Sequence, residues 1–138
     1  MTRIKKVGKA CFLACIESFL RDHGIDINQA CMISVLKNLR LCSETGVVNR
    51  GNEEKACRVF NISFSDVSYR YPIDKKYSDG SLLIGTTKPG LHCVRFWKQE
   101  EEAKIIVMNP DSGEFEYWDK EYLEKMLPNF HRIELQRI

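Results

Sequence analysis

The hydrophobic period of this chain changes once, near residue 60, and that change limits the fold more than any single motif does. Before it, Phe12, Cys15, Ile16, Phe19 and Leu20 recur at i, i+3, i+4, i+7 and i+8, one stripe of a helix, and His23-Gly24 follows as a stop. The spacing predicts a first helix over 10–23. Asp26 with Gln29 resembles a capping box, and Ala30, Met32, Val35, Leu36 and Leu39 carry a second apolar face, so a second helix is expected over 27–40. Beyond the polar stretch 42–51, Ala56, Val59 and Phe60 lie on one side of a short third helix over 52–60, which Asn61 can close.

From Ile62 the pattern is that of strands. β-rich runs stand at 81–86, 91–98, 103–108, 114–118 and 130–138, separated by turn residues. Between two of them, Asn109-Pro110-Asp111-Ser112-Gly113 has the chemistry of a hairpin turn. One more helix is expected near 120–127, capped by Asp119 and stopped by Pro128. Helices first and antiparallel strands afterwards give an α+β fold, with N-terminal helices packed on a C-terminal antiparallel sheet. No repeat, linker or low-complexity segment divides the chain, so residues 1–138 are expected to form one domain.

Composition removes several function classes. Twenty-one Lys and Arg are interspersed with nineteen Asp and Glu, apart from Lys5-Lys6 and the run Glu100-Glu101-Glu102. A nucleic-acid surface needs a clustered basic face, and none is indicated. The longest apolar run, 10–16, is far short of the roughly 20 residues that span a bilayer, so no membrane segment is expected. The charged N-terminus leads into an apolar stretch that ends at Glu17 without a small-residue cleavage site, so no secretion signal is expected. The six cysteines contain no CxxC pair, and five precede residue 60. They read as reduced thiols of a cytoplasmic protein rather than as a disulfide framework or a metal cage.

The same cysteines supply the first candidate chemistry. Cys11 falls in the first turn of a helix, where N–H groups and the positive dipole end favour a thiolate, although a buried small hydrophobe is the plainer reading. Cys15, one turn deeper in the apolar stripe, reads as core. A thiol nucleophile needs a base, and the histidines are His23, His92 and His131. His23 ends the first helix, about 18 Å of helical rise from Cys11, and suits a dipole partner. His131 lies in an alternating terminal strand. His92 opens a strand and shares a face with Val94 and Phe96, as a satisfied core residue or as a base. A returning strand brings the 109–111 turn beside it, so Asn109 or Asp111 could accept the second ring N–H, unless the turn is only a turn. Trp97, Phe115, Tyr117 and Trp118 fit sheet packing or a substrate groove.

The order of Cys on a first helix, His at a strand start and Asn/Asp-Pro after the next strand resembles the papain-like cysteine peptidases. It is most similar to the bacterial family that removes double-glycine leaders from bacteriocins. Cys11, Cys15 four positions on and Gly24 thirteen positions on reproduce that family's spacing. His92-Cys-Val-Arg-Phe resembles its His-Phe-Val-Val strand, Asn109-Pro110 its Asp-Pro step, and the glycine turn and helix of 46–60 also fit. The departures are Phe12 where the family has Gly, Lys5 with no Gln nearby where the family has an oxyanion-hole Gln, and Asn109 for Asp. Lys5 or Lys6 is the available cationic substitute.

The resemblance implies a papain-like fold and a cysteine hydrolase that cleaves a peptide or amide bond through an acyl-thioester. Cys11 would attack, His92 would carry the proton, and Asn109, with Asp111 in reserve, would orient the imidazole. No metal or other cofactor is implied. The implied partners are a peptide or protein substrate and, because no transporter segment is present, a separate transporter or partner chain. The same site would serve a glutamine deamidase or an acyltransferase. A catalytically degenerate peptide-binding module of the same fold is the reading from another class.

Overall fold

The computed structural model describes residues 1–68, 80–87, 90–101 and 104–138. Among them are helices α1 (Cys11–Asp22), α2 (Gln29–Asn38), α3 (Glu53–Val59) and α4 (Lys120–Met126). The strands are β1 (Ile62–Ser68), β2 (Leu82–Thr87), β3 (Gly90–Glu101), β4 (Lys104–Asn109), β5 (Glu114–Asp119) and β6 (His131–Arg137). They form one antiparallel sheet in the order β1-β6-β2-β3-β4-β5. The fold is therefore the expected α+β arrangement, helices first and sheet second.

Alternation along each strand divides the side chains between two faces. Leu82, Ile84, Cys93, Met108, Ile133 and Leu135 join α1, α2 and α3 in one apolar cluster. Leu83, Val94, Phe96, Ile105, Val107 and Trp118 face the other way and pack on Leu123 and Leu127 of the α4 segment. Gly85 makes this second packing possible, because a Cβ there would meet the Leu127 backbone at 2.7 Å. Gly85 is also the cross-strand partner of His92.

α1 is buried nearly all round, from Ala10 to Leu20. Its polar residues are matched accordingly. Glu17 accepts from the Gln29 backbone at 3.1 Å and from Arg21 at 2.7 Å. Buried Arg95 of β3 donates to Ser18 at 2.8 Å and to Asp22 at 2.6 Å. Burial alone would raise the Asp22 carboxyl, but hydrogen bonds from Thr2 and Arg95 outweigh it and hold it below its ordinary value.

Three expectations are corrected and one pair of alternatives is decided. Asn28, not Asp26, caps α2 by accepting from Cys31 N–H at 2.9 Å, because Gln29 is turned inward toward Glu17. Only Met32 and Leu36 of the expected α2 apolar face are buried; Ala30, Val35 and Leu39 are exposed because a single side of the helix meets the core. Ile62–Ser68, which is not among the expected strand runs, is a full strand paired to β6. Trp118 lies in the α4-side core and Trp97 stacks on Phe115 at 4.5 Å, so these aromatics pack the sheet, while Tyr117 is exposed. The start of the run expected at 103 lies outside the described residues. Asp119 caps α4 as expected, accepting from Tyr122 N–H at 2.8 Å.

Candidate active site

Cys11 is the first residue of α1. The N-cap position is Ala10, so no side chain caps this helix, whereas Asn28 and Asp119 cap α2 and α4. α1 crosses β3, and the Cys11 sulfur accepts from the backbone N–H of Cys93. The residue is 8% exposed. Burial, with the neighbouring Cys15 thiol second, pushes its thiol up to about 11; the Cys93 N–H and Lys6 pull weakly the other way. The helix start therefore does not yield a resting thiolate, because desolvation outweighs the dipole. Cys15 is core, as expected, and its thiol contacts the Cys93 carbonyl at 3.7 Å.

His92 lies near the start of β3, its side chain 12% exposed. Its Nε2 is buried and has no hydrogen-bond partner among the described residues. The group that faces it is Asp111, whose Oδ2 is 3.7 Å away. Register explains this. Arg95 pairs with Met108 and Phe96 with Val107, and continuing that ladder sets His92 opposite Asp111 and Val94 opposite Asn109. Directly opposite residues on one face are the close pair, and a diagonal neighbour is farther by about 2–3 Å. Burial lowers the His92 pKa, and Lys6 lowers it further, against opposing pulls from Asp111 and Glu116.

Asn109 stands behind Asp111. Its Oδ1 accepts the Asp111 N–H at 3.1 Å, and its side chain also bonds Glu116. Burial would raise the Glu116 carboxyl, but hydrogen bonds from Ser112, Trp118 and Asn109 hold it low. The hairpin turn is thus fixed from inside. From outside it is fixed by Lys6, whose N–H donates to Pro110 O at 2.8 Å and whose Nζ lies 2.7 Å from Asp111 Oδ1.

The N-terminal strap that carries Lys6 is held by a residue that sequence reasoning passed over. Gln29 of α2 is buried; it accepts the Val7 N–H at 2.8 Å and donates to Lys5 O at 2.9 Å. A glutamine therefore touches this strap, but its amide is spent on the strap and on Glu17. Of the two lysines, Lys6 is the one aimed at the site, while Lys5 packs its backbone and Cβ beside Gly113. Nothing in a linear motif gives that distinction.

Cys11 packs over Cys93 on the helical face of the sheet, whereas His92, whose cross-strand partner Gly85 packs on Leu127, belongs with Val94 and Phe96 to the α4 face; the other two histidines lie apart from both. His23 follows α1 and its Nδ1 donates to Phe19 O at 2.9 Å, the dipole-end position expected for it. His131 opens β6 and its Nδ1 lies 2.7 Å from Asp66 Oδ2. Beside that pair opens a cavity of about 500 Å³ lined by Arg50, Glu53, Phe64, Asp66, Ile84 and Ile133, among others. Among the described residues no group of three or more His, Cys, Asp or Glu is arranged to hold a metal ion, and no helix is long and apolar enough to cross a membrane.

The sequence matches no protein-family model and no curated protein. The structure is similar to the crystal structure of the peptidase domain of Streptococcus ComA, a bi-functional ABC transporter involved in a quorum-sensing pathway. The TM-score is 0.77 at 13% identity, over 98% of this chain and 97% of that one. The likeness is one of fold, and it extends over the whole chain.

Proposed function

We propose that this chain is a cysteine hydrolase of peptide or amide bonds, with Cys11 as nucleophile, His92 as base and acid, and Asp111 and Asn109 as positioning residues. The observation that carries this reading is a buried imidazole with an unsatisfied Nε2 facing a carboxylate, one residue from the backbone that bonds the Cys11 thiol. The peptidase-domain fold supports the substrate class.

The electrostatics define the resting state. A thiol at about 11 and an imidazole lowered by burial are both neutral near pH 7. Asp111 selects the tautomer with hydrogen on Nε2, which leaves the Nδ1 lone pair for the thiol. As Cys11 sulfur bonds the carbonyl carbon, its proton passes to His92 Nδ1, and the imidazolium is stabilised by the Asp111 carboxylate. First-turn N–H groups of α1, free of a capping side chain, and the Lys6 ammonium stabilise the oxyanion. His92 then protonates the departing amine as the C–N bond breaks. Water adds to the thioester, giving its proton to His92, and the C–S bond breaks to release the acid and restore the thiol.

The test is turnover of short peptide anilides ending in Gly-Gly, Ala-Ala and Gln-Gly, with intact-mass detection of the acylated protein. Release of the amine, with a thioester adduct on Cys11 and loss of both in Cys11→Ala and His92→Ala, is the expected result. Turnover that survives Cys11→Ala, or binding of these peptides with no turnover by the wild-type chain, overturns it. The second outcome leaves the peptide-binding module, which the burial of Cys11 and the commitment of Gln29 would then explain. Ammonia release from a glutamine side chain, or a new amide on an added amine, would reassign the same thioester to deamidation or acyl transfer.

A further inference from the structure

Lys6 reaches the site from outside the helices and the sheet, and the chain next to it is not what holds it there. Val7, Gly8, Lys9 and Ala10 join it to Cys11, and Gly8 turns the backbone at φ +59°. A turned link of this kind leaves the direction of the ammonium open. The hydrogen bonds on the two edges of the strap set it. As in a strand, successive peptide groups face opposite edges. The Lys6 N–H faces the 109–111 turn and donates to Pro110 O at 2.8 Å. The groups on either side of it face α2: Lys5 O accepts from Gln29 Nε2 at 2.9 Å, and Val7 N–H donates to Gln29 Oε1 at 2.8 Å. One side-chain amide thus stands in for a neighbouring strand and brackets Lys6.

The amide is itself oriented. Gln29 Nε2 donates to Glu17 Oε1 at 3.2 Å, the Gln29 backbone N–H donates to the same oxygen at 3.1 Å, and Arg21 Nε donates to Glu17 Oε2 at 2.7 Å. With Nε2 engaged by Glu17 and Lys5, Oε1 is the atom left for Val7. Glu17 and Cys11 lie on one helix, about 9 Å of rise apart. The strap is therefore registered against the helix that carries the thiol, through two side chains that are both buried.

We infer that Gln29, oriented by Glu17, is a positioning residue that acts through Lys6 by holding its ammonium on the Asp111 carboxylate. The inference rests on the proposed function for its effect on turnover, while its effect on the imidazole needs no substrate. The charged groups that face His92 are Lys6 from the strap, Asp111 from the turn and Glu116 from β5. Withdrawing Lys6 leaves two carboxylates, both of which favour the imidazolium, so His92 then titrates at higher pH.

The experiment follows the His92 ring by NMR through a pH titration in wild type, Lys6→Met, Gln29→Met and the double variant, with the resonance assigned by its loss in His92→Ala. Both single variants are expected to shift the titration to higher pH, Lys6→Met by the larger amount, and the double variant to match Lys6→Met. A merely structural role would not give that match, because loosened packing or water entry adds to the loss of Lys6. Val7→Pro deletes the donated N–H at an exposed residue and leaves the α1–α2 interior intact. It is expected to repeat the Gln29→Met shift, and it decides alone if melting curves show that Gln29→Met does not fold. On a short peptide anilide, kcat/KM should fall by about 10- to 100-fold in Lys6→Met, the size of one charge-assisted hydrogen bond, and by no more than that in Gln29→Met. A titration unmoved by Gln29→Met and by Val7→Pro, or a Gln29→Met shift that persists on the Lys6→Met background, overturns the inference. The shift without wild-type turnover leaves the positioning role standing and removes the hydrolase; turnover without the shift does the reverse.

Discussion

Two histidine–aspartate pairs sit at the same end of one sheet and differ in almost every physical respect. His131 and Asp66, joining β6 to β1, meet at 2.7 Å with about half of each side chain in solvent. His92 and Asp111, joining β3 to the β4–β5 turn, stand 3.7 Å apart, with the imidazole buried and its Nε2 without a hydrogen-bond partner among the described residues. The shorter contact is the less informative one. A solvated pair at full hydrogen-bonding distance is a surface clasp worth little. A buried ring nitrogen left short of its partner carries a cost, and such costs persist where another function depends on them.

The largest expected contrast is catalytic. On a short anilide, His92→Ala should lower kcat/KM by about 100- to 10,000-fold, the usual contribution of a general base. His131→Ala should change it by less than about threefold, as a surface substitution does. Equal losses would dissolve the contrast. Cys11 alkylation by iodoacetamide sharpens the point without substrate: with its thiol pushed up to about 11, the rate should keep rising with pH through 9. A plateau below pH 7 that depends on His92 would show a resting ion pair instead of a neutral one.

The next contrast lies inside the buried pair. Asp111→Ala removes a partner of the imidazolium and should cost about 10- to 100-fold in kcat/KM, the worth of one hydrogen bond to a charged group. Asn109→Ala, which loosens the carboxylate through a neutral bond, should cost about three- to tenfold. The reverse order would assign the orienting role to Asn109 directly.

The pH profile carries a sign that a merely structural role would not. His92 is lowered from 6.5, chiefly by burial, and must be neutral to accept the thiol proton, so kcat/KM should fall as pH drops through a value below 6.5. Lys6 disfavours the imidazolium; Lys6→Met therefore raises the His92 pKa and moves the acid limb to higher pH. Asp111 favours the imidazolium, so Asp111→Asn moves the limb to lower pH. Shifts of the same sign in both variants would break the proposed arrangement.

These contrasts were only partly legible in the sequence. α1 and α4 were, because the apolar stripe and the Asp119 cap are local signals that tertiary packing did not override. β1 was not, because a register shift between Asp66 and Ser68 interrupts the alternation that marks a strand. The order of Cys11, His92 and the 109–111 turn could be read along the chain. Which of Asn109 and Asp111 faces the imidazole depends on one register, Arg95 against Met108, and spacing alone leaves that register undetermined. Lys6 was ambiguous for a similar reason: its place comes from Gln29, which reaches the strap across more than twenty residues of chain. Burial was the signal furthest from reach. A first-turn cysteine reads as activated until the sheet that covers it is known.

The smallest effect tests the other member of the comparison. His131 and Asp66 are 49% and 51% exposed, so water solvates both partners almost as well when the pair is broken. Exposed pairs of this kind contribute about 0.2–1 kcal/mol. Asp66→Ala should therefore lower the melting temperature by no more than about 3 °C for a chain of this size. Because screening weakens an exposed pair, the difference between wild type and variant should shrink further in high salt. Asp111→Ala offers the control: its carboxylate also holds Lys6 at 2.7 Å, and its loss removes one tie between the N-terminal strap and the turn, the Lys6 N–H bond to Pro110 O remaining. A larger destabilisation by Asp66→Ala than by Asp111→Ala would mean that the β1–β6 clasp, not the site, is where this end of the sheet is held together.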